Sequence, residues 1–477
     1  MRRTTAITLI CAGLLAGVIL GRLGYTAGFA AVIIAPATAL LAVAARSRLA
    51  VLALVVAAAV LGLWHTTGWL AAQTSLTGLI GQKITLTAVV ADDPAVNETS
   101  RDVSYSVTNM TLAGGRRLPG TLAVYDYPVQ LQRGYKVALS GKITPGYGNA
   151  AVELSFPKVQ VLSRAQSLLE RWRQRFFAGM RTALPDPLAS FGLGLLVGIR
   201  ALIPKPLQTE LALVGLSHLV AVSGYNLTII VQAAHRLLAR LGRGPALVGS
   251  LWVIAGFLVF TGATASIVRA SLVSVLTLLA GFYGHRFQPL VIISIAAGLT
   301  AAFNPSYLTD IGWLLSFLAF FGILVLAPAV EDRLGHPRLI IVRLLIESMA
   351  AQILTLPLIM FFFNQLSIVS PLTNFLILPL VPLAMGASFL AGLGGMVVPA
   401  FAGWVAWPAA LVLNFMLGLI NYFAARPWAA RSGHLSLPGT CLCYGIIVVL
   451  TVALTRTGKR LRPPEKLQIP APVQIVS

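Results

Sequence analysis

The sequence predicts a polytopic α-helical membrane protein of about twelve transmembrane helices, some of them broken, with an inserted small all-β domain of the OB type. Hydrophobic residues make up 57% of the 477 residues and charged residues only 10%, which is more apolar surface than a soluble core hides. Apolar runs long enough to cross a ~30 Å hydrocarbon core recur along the chain. One stretch, 72–162, instead alternates polar and apolar residues between turn signals, as half-buried strands do.

Residues 1–71 predict three transmembrane helices, at about 5–21, 25–45 and 49–69. The first run resembles a signal peptide, but a second apolar run follows almost at once, which favours a membrane anchor. Arginines beside these runs place the N-terminus in the cytoplasm and the stretch after the third helix outside.

Residues 72–162 predict five short strands separated by Gly, Pro, Asn and Asp, and this number suits a small OB-like barrel. The strands are expected at 83–90, 102–108, 121–125, 135–141 and 151–156. Eight basic side chains stand against six acidic ones in this stretch. Tyr105, Tyr125, Tyr127 and Tyr135 are of a type that stacks on bases. Strand tyrosines also simply pack, so nucleic-acid binding by this domain stays open.

Residues 163–186 predict an amphipathic helix lying in the membrane interface. Its apolar face is expected to hold Leu168, Leu169, Trp172, Phe176, Phe177, Met180 and Leu184. Arg164, Arg171 and Arg175 lie opposite and are candidate contacts to the interface or to phosphate. Arg173 falls on the apolar side and interrupts the pattern.

Residues 187–455 predict a transmembrane channel domain of nine further helices, and residues 456–477 a basic cytoplasmic tail. The helices are expected at about 211–238, 246–261, 266–283, 289–303, 309–326, 339–362, 370–397, 404–424 and 438–455. Most of the net charge of +21 lies in connections that this count places inside, with Arg426 and Arg431 as exceptions. Breaks are expected at Ser223-Gly224 and at Pro379, and such backbone survives at membrane depth only inside protein or beside water.

Three polar motifs lie within these apolar helices, at 218–226, 260–270 and 304–316. An ionisable side chain near the bilayer centre costs roughly 2.5 to 3.5 kcal/mol, so such residues face one another, a water-filled path or a cargo. On a continuous helix His218, Tyr225 and Gln232 share one face. The candidate path-lining residues are His218, Ser223, Tyr225, Asn226, Gln232, Ser266, Arg269, Asp310, Ser316, Gln352 and Asn374. Arg269 either pairs with Asp310 or Glu347 or contacts a phosphate.

Catalysis is not predicted. The six histidines are scattered, no run of them suits zinc or a two-metal centre, and the three cysteines all lie in apolar segments. We therefore expect no cofactor, no metal and no catalytic residue. A membrane hydrolase using Ser223 and His218 is one alternative, although the pair has no evident orienting acid.

The motifs resemble those of the ComEC competence family. Gly215-Leu-Ser-His-Leu-Val-Ala-Val-Ser-Gly-Tyr-Asn226, Phe260-Thr-Gly-Ala-Thr-Ala-Ser-Ile-Val-Arg-Ala270 and Asn304-Pro-Ser through Leu315-Ser-Phe-Leu-Ala-Phe-Phe-Gly322 are similar to its three signatures in order and spacing. Gln352-Ile-Leu-Thr-Leu-Pro357 and Ser370-Pro-Leu-Thr-Asn374 are similar to later blocks. Asn226, Ala265 and Leu314 depart from residues that many members carry, namely His, Pro and Gln.

The resemblance implies a channel in the bacterial inner membrane, with both termini cytoplasmic, that passes single-stranded DNA into the cytoplasm during natural transformation. It implies as partners single-stranded DNA, membrane lipids, a DNA receptor, a cytoplasmic motor or strand-binding protein, and a separate nuclease. The nuclease is expected on another chain because the metallo-β-lactamase-like domain of many members, with its His-x-His-x-Asp-His run, has no counterpart here. A homo-oligomer is compatible with the sequence. The rival function is a secondary transporter or a lipid-linked glycan flippase, which also uses broken helices.

Overall fold

The computed structural model describes residues 3–44, 49–96, 103–118, 120–127, 131–146, 152–164, 167–199, 202–220, 224–262, 264–284, 288–335 and 339–458. It confirms the predicted class, a polytopic helical membrane protein with an inserted OB-like domain. Among the described residues, nine helices are long and apolar enough to cross a membrane, and three shorter apolar helices accompany them. Eleven of the twelve expected crossings match one of these helices.

The N-terminal part forms helices α1 (Arg3–Arg22), α2 (Phe29–Ala44) and α3 (Ala50–Thr77). Helices α1 and α3 approach so closely that a Cβ added at Gly17 would lie 1.9 Å from the carbonyl oxygen of Ala59. Small residues permit this backbone contact in membrane helix pairs. Helix α3 runs eight residues beyond the predicted end and places Leu76, 2% exposed, in the core of the β domain.

The β domain is a barrel in which the five predicted strands occur in order. Its strands are β1 (Lys83–Val90), β2 (Ala95–Val96), β3 (Val103–Leu112), β4 (Arg117–Leu118), β5 (Leu122–Asp126), β6 (Lys136–Pro145), β7 (Val152–Ser155) and β8 (Lys158–Ser163). Those that match the prediction are β1, β3, β5, β6 and β7. The sheet order is β1-β3-β5-β7-β6, and β6 also pairs with β1, which closes the barrel. Alternate side chains of each long strand fill its interior.

Strand β8 is absent from the sequence prediction, which ended the domain at residue 162. Its five ladder pairs with β6 extend the sheet beyond the barrel. All its described side chains are at least partly accessible, because one face of this edge strand has no further layer to cover it.

Helix α4 (Leu168–Ala183) links the β domain to the membrane helices. The expected apolar face is only partly correct. Phe176, Phe177 and Met180 are buried in the main core of the membrane domain, whereas Leu168, Leu169 and Trp172 are 69%, 40% and 56% exposed. The inward side at the helix start is occupied by charged residues instead, and Arg173 is fully buried.

The membrane domain contains fourteen described helices. They are α5 (Leu188–Val197), α6 (Lys205–Leu213), α7 (Ser217–Val220), α8 (Gly224–Leu238), α9 (Arg243–Thr261), α10 (Ala265–Phe282), α11 (Pro289–Phe303), α12 (Ile311–Phe321), α13 (Ala327–Arg333), α14 (Ile340–Phe363), α15 (Ser370–Ile377), α16 (Val381–Val397), α17 (Ala402–Ala424) and α18 (Leu437–Gly458). A π-helical turn, Gly322–Leu326, joins α12 to α13. Two short strands, β9 (Gln365–Ser367) and β10 (Ala430–Ser432), pair antiparallel.

Two predicted crossings are broken. The expected helix at 211–238 is interrupted at residues 214–216, between α6 and α7. Residues 221–223, between α7 and α8, lie outside the described part of the chain, so the shared face expected for His218, Tyr225 and Gln232 stays a prediction. The 370–397 segment contains a 3₁₀ turn, Leu378–Leu380, between α15 and α16, at the proline where a break was expected.

Contacts tie the β domain to the membrane helices. Helix α4 packs on α16 so tightly that a Cβ at Gly395 would lie 1.9 Å from the carbonyl oxygen of Gly179. The Arg173 guanidinium donates to Asp93, just after β1, and to Oε1 of Glu170 at 2.7 Å. Arg133 donates to the carbonyl oxygen of Val259 near the end of α9 at 3.3 Å.

Candidate functional site

The three polar motifs meet where α8, α10 and α12 begin. A Cβ added at Gly224, the first residue of α8, would lie 2.6 Å from Nη2 of Arg269 on α10. A Cβ at Gly312, on α12, would lie 3.1 Å from Oδ1 of Asp310 and 3.2 Å from Oγ of Ser266. The second motif thus contacts both the first and the third.

Arg269 is the most unusual side chain of this cluster. It is only 2% exposed, and its Nε and Nη1 atoms have no hydrogen-bond partner. Within the described residues no carboxylate lies within ion-pair distance of it, so neither Asp310 nor Glu347 is its partner. The ion-pair alternative is therefore wrong for the described part of the chain.

Aromatic rings and bare backbone surround the Arg269 guanidinium. Its Cζ atom lies 4.8 Å from the ring centroid of Phe320 and 5.7 Å from that of Phe317, both on α12. Rings attract a cation through their quadrupole but supply no counter-charge. Glycine at position 224 lets the backbone of α8 approach the guanidinium closely, because the guanidinium occupies the position that a Cβ would take.

The polar residues around Arg269 have defined local roles. Asp310 caps α12, because its Oδ1 accepts the backbone N–H of Trp313 at 2.8 Å. A carboxylate at a helix N-terminus is stabilised by the helix dipole. Ser266 in the first turn of α10 and Ser316 on α12 are both half-buried.

A second polar cluster lies around the turn that follows α6. Gly215 packs against α15, where a Cβ would meet Oγ of Ser370 at 2.4 Å. Nδ2 of Asn374 donates to the same Oγ at 3.3 Å, while Oδ1 of Asn374 is buried without a partner. The Oγ1 of Thr373 donates to the carbonyl oxygen of Val214 at 2.7 Å.

His218 follows this turn on α7. Its ring hydrogen-bonds to the backbone of Gly215. The residue is exposed.

The other candidates are spread more widely. Asn226 is fully buried and its Nδ2 donates to the carbonyl oxygen of Leu195 at 2.9 Å, so it fixes α8 to α5 without any cargo. Gln232 is exposed on α8, and Gln352, on α14, has a buried Oε1 atom without a partner. Ser223 and the side chain of Tyr225 lie outside the described residues.

The three surface arginines remain candidates for interfacial contact. Arg164, Arg171 and Arg175 are all exposed. Arg175 also lines a groove of about 480 Å³ between α4 and α16, together with Trp172 and Thr182.

Sequence reasoning did not find several residues that shape the site. Phe317 and Phe320 look like ordinary apolar residues of α12, and only their spacing of three, which places them on one helix face, was a signal. The close contact of Gly224 with a cation has no signal in one sequence. Among the described residues, no group of three His, Cys, Asp or Glu is placed to hold a metal ion.

These features define a class, a polytopic helical membrane protein with an attached OB-like domain and a polar cluster inside its helices. The profile of the family described as "Competence protein" matches residues 195–459, more than half of the chain. The chain belongs to this competence protein family, as the motifs predict.

One curated relative gives the same assignment. The chain is 27% identical over 256 residues to ComE operon protein 3 of Bacillus subtilis (strain 168). The match covers 51% of this chain and 32% of the relative, so the chain spans about a third of the relative's length. No solved structure matches the chain.

Proposed function

We propose that this protein takes part in DNA uptake during natural transformation, as an inner-membrane channel that passes single-stranded DNA into the cytoplasm. Membership of the competence protein family supports the process. The buried and unpaired Arg269 is the observation that carries the channel, because it needs an anion that the described chain does not supply.

Phosphate fits this need. A guanidinium binds phosphate through charge-assisted hydrogen bonds, and such a bond contributes about 1.5 to 3 kcal/mol. The close approach of Gly224 and the rings of Phe317 and Phe320 hold the guanidinium in place. A DNA strand carries one phosphate at every nucleotide. Successive phosphates would therefore bind the Arg269 guanidinium in turn as the strand moves past.

The second polar cluster extends the proposed path. His218 is exposed, and Asn374, on the helix against which Gly215 packs, has a buried oxygen without a partner. Buried polar atoms without partners are rare in folded proteins and call for water or a ligand. On this proposal both termini are cytoplasmic, and a receptor, a motor or strand-binding protein and a nuclease are separate chains.

The test is uptake of a labelled duplex in a transformable host that lacks its own family member and carries this chain. We expect Arg269→Gln to lower transformation about 10- to 100-fold at equal membrane level, the factor for one charge-assisted bond. Arg240→Gln is the matched control, because Arg240 is an exposed arginine of the same domain, and it should leave uptake unchanged.

Two results would contradict the proposal in different ways. Normal DNA entry without the wild-type chain would remove the role in uptake and favour a transporter or flippase. Normal entry with Arg269→Gln, in a host that depends on the chain, would remove Arg269 from the path. Arg269→Lys separates charge from fork geometry, because lysine keeps the cation but not the planar donors.

A further inference from the structure

Three lysines share one end of the outer face of the β barrel. Lys83 on β1 is the direct cross-strand partner of Lys142 on β6. In the next row, Thr85 on β1 faces Ser140 on β6, and Ser140 faces Lys158 on β8. All three lysines are exposed. Directly opposed residues have Cβ atoms about 4.5 to 5.5 Å apart, so these ammonium groups form one patch, the lysine face.

The lysine face is not neutralised within the protein. None of the three lysines has an ion pair in the described part of the chain. One carboxylate of the neighbouring strand, that of Glu153 on β7, lies opposite Thr144 in the row beyond Lys142. Like charges placed directly opposite each other destabilise a sheet. The opposed pair of Lys83 and Lys142 therefore destabilises the folded sheet, and a role in binding would explain why both residues are lysine.

Hydroxyl groups lie between the lysines. The side-chain oxygens of Thr85 and Ser140 are 3.0 Å apart and both belong to the exposed or half-exposed surface. Hydroxyls donate to phosphate oxygens as readily as to each other. The face therefore offers both charge and hydrogen bonds to an anion.

Two exposed aromatic rings adjoin the lysine face. Phe156 lies two residues before Lys158, is 46% exposed and has a backbone φ of 49°. Its ring is 4.8 Å from that of Tyr127, which is 66% exposed. Positive φ is a strained conformation for a bulky residue, and it persists where the surroundings or a function require it.

We infer that the lysine face, with the rings of Phe156 and Tyr127, is a binding site for single-stranded DNA on the β domain. Single-strand sites combine a basic surface that follows the phosphates with aromatic rings on which bases stack. The inference rests on the proposed function and adds to it a contact outside the membrane helices. The near balance of charge in the whole domain hides this site, because Asp93 is used by Arg173 and Asp126 is buried.

The experiment measures binding of a labelled single-stranded oligonucleotide to the full chain in nanodiscs of zwitterionic lipid, over a range of salt. The triple variant Lys83→Gln, Lys142→Gln and Lys158→Gln should reduce the slope of log K against log salt by about 2, because each phosphate contact on a single strand contributes about 0.7. Affinity should fall roughly a hundredfold near 0.1 M salt. Phe156→Leu should lower affinity about tenfold, since the stacking face is lost.

Lys136→Gln is the matched control. Lys136 is exposed on the same strand and the same face, but it lies about 20 Å from Lys142 at the rise of a β-strand. Its partners are Val89 and Ser163, and the substitution should leave affinity within about twofold. All these positions are exposed, so the variants should fold as the wild type does.

Unchanged affinity and salt slope in the triple variant would overturn the inference. Binding of the wild type to vesicles of anionic lipid in place of the oligonucleotide, lost in the triple variant, would assign the face to the membrane surface and overturn it as well. Either result leaves the Arg269→Gln uptake experiment untouched, so failure of this site and failure of the proposed channel are distinguishable.

Discussion

Among the residues that the structure describes, two arginines are almost fully buried, and their surroundings differ in one respect. Arg173 on α4 is held by Asp93 and Glu170, and its Cζ lies 4.7 Å from the Phe177 ring. Arg269 on α10 also lies over aromatic rings but has no carboxylate among the described residues. Burial and ring contacts are thus common to both, and only the counter-charge distinguishes them.

The difference separates a structural cation from one that needs a ligand. A buried cation that is paired with carboxylates is neutralised within the protein. Arg173 is of this kind, and its ion pairs join the β domain to the membrane helices. A buried cation without an anion keeps its desolvation cost uncompensated. Such a cost persists where the charge serves another purpose.

The largest effect is expected from removing the paired arginine. Arg173→Met leaves Asp93 and Glu170 as charges that are 19% and 7% exposed, without their cation. Breaking a buried pair by removing one partner costs about 3 to 5 kcal/mol. Chemical denaturation in detergent, followed by tryptophan fluorescence, measures the change in the free energy of unfolding.

Arg269→Met is the control for this comparison. It removes a buried cation that no described carboxylate needs, so the free energy of unfolding should stay the same or rise. Equal losses in the two variants would show that burial and ring contact, rather than pairing, decide the role of each arginine.

The contrast also shows what one sequence can and cannot predict. Hydrophobic periodicity predicted the helices and five strands, because those signals are local. Arg173 was treated as a break in the apolar face of its helix, because its partner Asp93 is 80 residues away in the chain. Arg269 was identified because charge is rare in apolar helices, but its lack of a partner needed three dimensions.

The broken helix around His218 illustrates the same limit. An interruption was predicted at Ser223-Gly224, and the described residues show one earlier, at the turn where Gly215 packs against Ser370. Tertiary contacts, not local propensity, decide such a turn. Strand β8 was not predicted, although Lys158-Val-Gln-Val161 alternates with the period of a strand.

A moderate loss of transformation is expected from a substitution that displaces the unpaired guanidinium of Arg269. In Gly224→Ala the new Cβ would lie 2.6 Å from Nη2 of Arg269, so the flexible guanidinium must move. We expect transformation to fall about tenfold, equivalent to about 1.4 kcal/mol, with little change in the free energy of unfolding. Measurements of transformation at equal membrane level and of the unfolding midpoint separate the two effects.

Gly256→Ala is the matched change in α9. A Cβ at Gly256 meets no atom within 4 Å, and alanine is favoured over glycine within a helix by up to about 1 kcal/mol. Uptake should be unchanged and stability the same or higher. If both alanine variants transform normally, the exact position of the Arg269 guanidinium does not matter for the cargo.

The smallest expected effect is on the pH dependence of stability, and it arises from a buried carboxylate, that of Asp126. Asp126 in the β domain is 2% exposed, and its carboxylate accepts the Tyr127 N–H at 2.8 Å and the Tyr105 hydroxyl at 3.4 Å. Burial raises the pKa of the Asp126 carboxyl above its usual range, and these hydrogen bonds offset only part of that rise. Like Arg269, it has no opposite charge beside it among the described residues.

The sign of the pH dependence follows from this raised pKa. The folded domain holds the Asp126 proton more tightly than the unfolded chain, whose carboxyl titrates near 3.9. Stability is therefore greatest below that value, falls as pH rises from it through the folded pKa, and then stays level. Asp126→Asn should remove this fall. Hydrogen exchange of peptides from β3 and β5, compared between variant and wild type at each pH, measures it. Equal protection of variant and wild type at every pH would show that the hydrogen bonds from Tyr105 and Tyr127 compensate fully for the burial of Asp126. A buried charge that lacks a counter-charge would then be no sign of function.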